Sequence, residues 1–130
     1  MASIEIRGID ALRRKLNSMA EVNDVLRPPM QRAVARLQRD MANYPPARPG
    51  SSYVRTGTYG RRWTTVIRES GQGMVGTVGN NTVYAPNVGS ERFQARIHRN
   101  RWLTDQRAVE RNRHAIVDDF ERAIQRAMDE

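Results

Sequence analysis

The chain contains no cysteine. Disulfide staples and thiolate nucleophiles are therefore excluded, and no redox compartment is implied. Large aromatic side chains are scarce, with two Phe and two Trp in 130 residues, and the mean hydropathy is −0.74. A chain of this length buries roughly two thirds of its unfolded surface. This composition predicts a thin core and reliance on neighbouring subunits. Apolar runs are short as well. None approaches the roughly 20 residues of a membrane-spanning helix, and Met1 to Arg7 lacks the apolar centre of a signal peptide. The expectation is one domain, made and used in the cytosol, with no membrane partner.

Arginine is what the chain has instead. It supplies 21 of the 22 basic residues, Lys15 being the exception, and the formal net charge is +8. Guanidinium makes bidentate contacts to carboxylate and phosphate and stacks on aromatic rings. An arginine-rich coding bias and a surface that meets an acidic partner both explain the surplus. Its distribution is uneven. Residues 44–104 hold nine arginines against Glu69 and Glu91, whereas residues 105–130 hold five against seven acids. A basic middle and an acidic tail suit head-to-tail contact between identical copies.

Hydrophobic spacing gives the element order. Ile4 and Ile6 alternate with Glu5 and Arg7, which predicts a short half-buried strand. Asp10 should cap a short helix over 11–19, with Leu12, Leu16 and Met19 on one face. A long helix should open at Asn23 or Asp24, because proline is tolerated in a first helical turn and Pro28 and Pro29 follow. Its core face is Met30, Ala33, Val34, Leu37 and Met41, and Tyr44-Pro45-Pro46 stops it. An extended loop follows at about 45–60. Trp63 to Glu69 and Met74 to Val78 read as a hairpin around Gly71-Gln72-Gly73, and Thr82 to Ala85 as a further strand. Phe93, Ala95 and Ile97 alternate with Gln94, Arg96 and His98, which favours extended chain up to Trp102. Thr104 or Asp105 should cap a last helix with the stripe Val109, Ile116, Val117, Phe120, Ile124 and Ala127. The predicted class is α+β: a mainly antiparallel sheet of about four strands against two long helices and one short one.

Little here carries chemistry. The two histidines, His98 and His114, have no cysteine or carboxylate cluster at metal-ligand spacing. Ser51-Ser52 lacks the strand–turn–helix elbow of a nucleophilic serine, and Gly57-Thr58-Tyr59-Gly60 lacks the lysine of a phosphate loop. No catalytic, cofactor-binding or metal-binding residue is assigned, and the chain is read as a non-enzyme. Two alternatives stay open. In a small ribonuclease-like enzyme, His98 would move a proton while Arg96, Arg99 and Arg101 hold the phosphate. In a nucleic-acid-binding domain, Tyr53, Tyr59 and Trp63 would stack beside Arg55, Arg61 and Arg62.

Two stretches are the most distinctive. Residues 53–63 read Tyr-Val-Arg-Thr-Gly-Thr-Tyr-Gly-Arg-Arg-Trp, and residues 83–91 read Val-Tyr-Ala-Pro-Asn-Val-Gly-Ser-Glu. In this order, and after a long helix ending in proline-rich chain, they resemble the small neck and tail-component proteins of phages with long non-contractile tails. The turn Ile6-Arg7-Gly8-Ile9-Asp10 is similar too. The chain departs from those proteins in placing Gly89-Ser90 before Glu91, and in a longer, more basic segment at 92–104. The resemblance implies a virion structural protein at the head–tail junction, made in the host cytoplasm. It would form a homo-oligomeric ring, a hexamer in the usual symmetry, that completes or caps the tail tube and joins it to the head. Its partners would be further copies of itself, other neck and tail proteins, and, non-specifically, DNA in the lumen. Candidate interface residues in the first stretch are Arg55, Thr56, Gly57, Tyr59, Arg61 and Arg62. Those further on are Tyr84, Pro86, Glu91, Arg96, Arg99 and Arg101.

Overall fold

A glycine-rich strand forms the middle of the sheet. In a computed structural model describing residues 2–6, 9–43, 45, 58–70, 73–81, 85–90, 92–99 and 101–130, with backbone alone at 58, 70, 86, 87 and 97, strand β3 (Gly73–Asn80) lies between β1 (Ala2–Ile6) and β2 (Trp63–Ser70). Both neighbours run antiparallel to it, with Ile4, Gly76 and Ile67 in one row. Strand alternation sends Ala2, Ile4, Ile6, Met74, Gly76, Val78 and Ile67 to one face. On that face a Cβ on Gly76 would stand 2.7 Å from Val34 Cγ1 and overlap Met30 Sδ. The missing side chain is what lets the helix lie close to the sheet. At the strand's start, Gly73 has φ +148°, and a Cβ there would meet the Ile6 carbonyl oxygen at 2.8 Å. Only glycine fits both demands.

The fold is α+β, with three antiparallel strands among the described residues where about four were expected. Of the anticipated strand at Thr82 to Ala85, residues 82–84 lie outside the described residues. Ala85 opens a short helix, α4 (Ala85–Gly89), whose first turn accepts Pro86. The earlier short helices are α1 (Asp10–Lys15) and α3 (Thr58–Arg61). The segment read as extended over 93–102 instead turns at Arg92-Phe93 and makes a 3₁₀ turn at Arg96–His98. Alternation in so short a run does not hold chain extended when no strand among the described residues pairs with it.

Helix α2 (Met19–Ala42) starts about a turn earlier than its prolines suggest. The Glu21 amide donates to Ser18 Oγ at 3.3 Å, and Glu21 Oε2 accepts the Asn17 amide at 2.9 Å. This is a Ser-x-x-Glu capping arrangement, and it sets the helix start. Met19 therefore belongs to α2, not to α1. Pro28 and Pro29 fall in the helix interior, where they remove two ladder hydrogen bonds at about 3 kcal/mol or more. Burial on both sides offsets this. Val22, Leu26, Met30 and Leu37 are wholly shielded, and each large apolar side chain contributes roughly 1.5–3 kcal/mol. At α1, Ile9 occupies the cap position and makes no side-chain cap bond. Asp10 is instead the first helical residue, where its charge suits the helix dipole.

Helix α5 (Asp105–Asp129) is capped as expected by Thr104, whose Oγ1 accepts the Arg107 amide at 3.3 Å. It runs antiparallel to α2. Arg32 grips Asp119 with two bonds of 2.6 and 2.9 Å, and Asn112 donates to Asp40 at 2.8 Å. Arg32 holds the Asp119 carboxyl below the usual carboxylate range, with desolvation opposing and Arg122 and Arg36 adding weaker attraction. At the far end, Lys15 Nζ donates to the Met128 carbonyl and, at 2.5 Å, to that of Glu130. These are carbonyls that a helix end leaves without partners. Ile116, Phe120 and Ala127 are buried as read, but Val117 is 45% exposed on the helix flank. Ala108 and Asn112 take the inward places on the preceding turns.

Candidate functional site

The ends of the two distinctive stretches meet in the fold. Tyr59 of α3 is buried, with its ring edge-on to Trp63 at 5.4 Å and to Trp102 at 5.3 Å. Gly89, at the end of α4, lies against the Tyr59 hydroxyl so closely that a Cβ would overlap it. Hydrogen bonds fix the same junction. Asn80 Nδ2 donates to the Tyr59 carbonyl at 2.7 Å, and the Asn81 amide to the Arg62 carbonyl at 3.0 Å. Gln94 Nε2 bridges the Val88 and Trp102 carbonyls at 2.7 and 3.0 Å. Edge-to-face aromatic pairs add about 0.5–1.5 kcal/mol each beyond area burial. The knot thus ties α3, α4 and the chain before α5 to the end of the sheet.

This adds to one expectation. Tyr59 was read as an interface residue; within the chain its ring is buried, since the junction of three segments takes a large apolar side chain with a polar tip, and it also lines the end of a cleft. Trp63, Trp102 and Gln94 were missed as its supports. Their separation in sequence gives no periodic signal. Arg61 and Arg62 flank the knot and are exposed, and so are Arg96 and Arg99. Arg101 is half-buried and lines a second, polar hollow of about 320 Å³ with Arg107, Arg111 and Asp40. Pro86 sits in the first turn of α4. Arg55, Thr56, Gly57, Tyr84 and Glu91 lie outside the described residues.

The second face of the sheet carries Ser3, Glu5, Val75, Thr77, Thr64, Val66 and Arg68, none of them buried. A cleft of about 720 Å³ opens over its β2–β3 half, lined by Thr64, Val66, Arg68, Thr77, Ser90 and Phe93 among others. Val66 is 46% and Phe93 57% exposed, and Arg92 stands over the Phe93 ring at 5.1 Å. On the opposite side of β2, Arg27 donates to Glu69 at 2.7 Å and to Asp24 at 2.8 Å. Both contacts raise the guanidinium's already high pKa.

His98 sits in the 3₁₀ turn with its ring edge-on to Trp102 at 6.2 Å. Among the described residues no group of three or more His, Asp or Glu is arranged to hold a metal ion, and no helix is long and apolar enough to cross a membrane. Compared with known proteins, the chain matches no family model, no curated protein and no solved structure.

Proposed function

We propose that the chain is a non-catalytic assembly subunit of a phage head–tail junction. Identical copies would join in a ring that completes or caps the tail tube and docks it on the head. The observation that carries this reading is the second sheet face, on which none of the described side chains named above is buried. An antiparallel sheet with one wet face normally shows polar side chains there. Here that face leads into a cleft holding Val66 and Phe93, which are two of the three exposed large apolar side chains among the described residues. Arg68 and Arg92 stand beside them. An apolar centre with an arginine rim is the composition of a protein–protein contact.

The two distinctive stretches support the same reading. They bracket this cleft, since Tyr59, Trp63 and Gly89 line its end. The resemblance to neck and tail-component proteins rests on the same two stretches, 53–63 and 83–91. Other neck and tail proteins, and DNA in the lumen, are the remaining partners of this proposal.

The test is to place a charge in the cleft. Phe93→Asp and Val66→Asp put carboxylates on surface positions, so the fold should survive by circular dichroism. Assembly, followed by sedimentation velocity, should be lost. Unchanged assembly in both variants would remove the cleft from the proposal.

A further inference from the structure

The polar hollow at the start of α5 shares Trp102 with the knot but shares no residue with the sheet-face cleft. It is built from three places in the chain: the end of α2 (Asp40, Asn43), the 101–103 segment, and the first two turns of α5 (Arg107, Arg111). Arg107 and Arg111 are one helical turn apart, so both heads reach the same side. Both are exposed, and neither has an ion-pair partner among the described residues. The single carboxylate in the wall, Asp40, is already engaged. Its Oδ2 accepts from Asn112 at 2.8 Å and its Oδ1 from Arg39 at 3.3 Å. The hollow therefore offers surplus positive charge in a concave, polar setting.

The surroundings extend that charge. Residues 92–111 carry six arginines against Asp105 and Glu110. Of these, Arg92, Arg96 and Arg99 are exposed along the same segment, next to the exposed Phe93 ring and the half-buried Trp102. Guanidinium forks suit phosphate oxygens bidentately. A run of exposed arginines is also the electrostatic footprint of binding to a phosphate backbone.

We propose that Arg101, Arg107 and Arg111 form an anchoring site for backbone phosphates of a nucleic acid, with Arg96 and Arg99 continuing the track. Contact of this kind is independent of base sequence and is driven by counterion release, so its affinity falls steeply with salt. The proposal places any nucleic-acid contact at one end of the molecule. It gives a place to the DNA contact named with the assembly reading and rests on that reading only there, since duplex binding by the chain needs no ring.

The test is fluorescence anisotropy of a short mixed-sequence DNA duplex against the full chain across a salt series. Each phosphate contact contributes about −0.9 to the slope of log affinity against log salt. Arg107→Gln with Arg111→Gln should make the slope shallower by about two contacts. That is roughly a tenfold smaller loss of affinity between about 50 and 200 mM salt. Arg13→Gln with Arg14→Gln removes the same net charge from α1, which lies at the other end of α5, roughly 30 Å away at 1.5 Å per residue. That control should bind nearly as the parent does. Equal losses in the two double variants would overturn the proposal and leave only diffuse attraction to a +8 protein. So would an absence of duplex binding at low salt. Binding of polyglutamate but not of duplex would overturn it too, and would assign the hollow to an acidic protein.

Discussion

Gly76 and Gly79 lie three residues apart on β3, so they face opposite sides of the sheet, and the structure gives them opposite fates on substitution. A methyl group at Gly76 would stand 2.7 Å from Val34 Cγ1 and overlap Met30 Sδ. Met30 can rotate, but Val34 is β-branched and held on a helix, so the helix must lift or the side chains must leave their rotamers. Overpacking of this kind costs about 1–3 kcal/mol. At Gly79 a Cβ would meet nothing within 4 Å. Gly79→Ala should therefore be neutral or stabilise by up to about 1 kcal/mol, because it narrows the unfolded ensemble. Thermal unfolding by circular dichroism reads both, at roughly 4 °C per kcal/mol for a chain of this size. A cycle sharpens the assignment. Met30→Ala alone should cost about 2–5 kcal/mol, and Gly76→Ala should cost less in that background than in the parent. Gly76→Ala as stable as the parent, or equally harmful with and without Met30, would refute the close approach of α2 to the sheet.

Other outcomes follow from the same contacts. Gly89→Ala should loosen Tyr59 from Trp63 and Trp102 and change the tryptophan emission, while the far-UV signal of α2 and α5 stays intact; an unchanged spectrum counts against the knot. Asp119 has a lowered folded pKa, so its contribution to stability is complete above the ordinary aspartate range and is lost as the pH falls through the folded value. Asp119→Asn should accordingly cost stability near neutral pH, and progressively less as the pH falls through the folded value. The effect should be no more than about 1 kcal/mol, because Arg32 is half-exposed. His98→Gln should leave assembly intact, and the parent should not cleave RNA; cleavage that disappears with His98→Gln would establish the ribonuclease alternative.

What the sequence made legible was whatever is local and periodic. The core face of α2 from Met30 to Met41, the β2–β3 hairpin and the Thr104 cap all follow from spacing within one segment. The start of α2 was legible too, in Ser18 and Glu21, but the paired prolines gave the stronger signal and pointed to a later start. A helix with enough buried surface on both sides tolerates what a peptide would not. The pairing of β1 with β3 joins residues some seventy positions apart, and no local pattern encodes it. The aromatic knot was hidden for the same reason. Tyr59, Trp63, Gly89, Gln94 and Trp102 are individually ordinary, and only the folded chain brings them together. The basic hollow was half visible. Arg101 was among the expected site residues, whereas Arg107 and Arg111 join it only because the end of α2 supplies the other wall.

The assembly reading is tested most directly by imaging the purified chain by negative-stain electron microscopy over a range of protein concentrations, with sedimentation velocity on the same samples. The account predicts closed rings of uniform diameter that disappear in Phe93→Asp. A parent protein that stays monomeric at every concentration, and shows no rings, would contradict it.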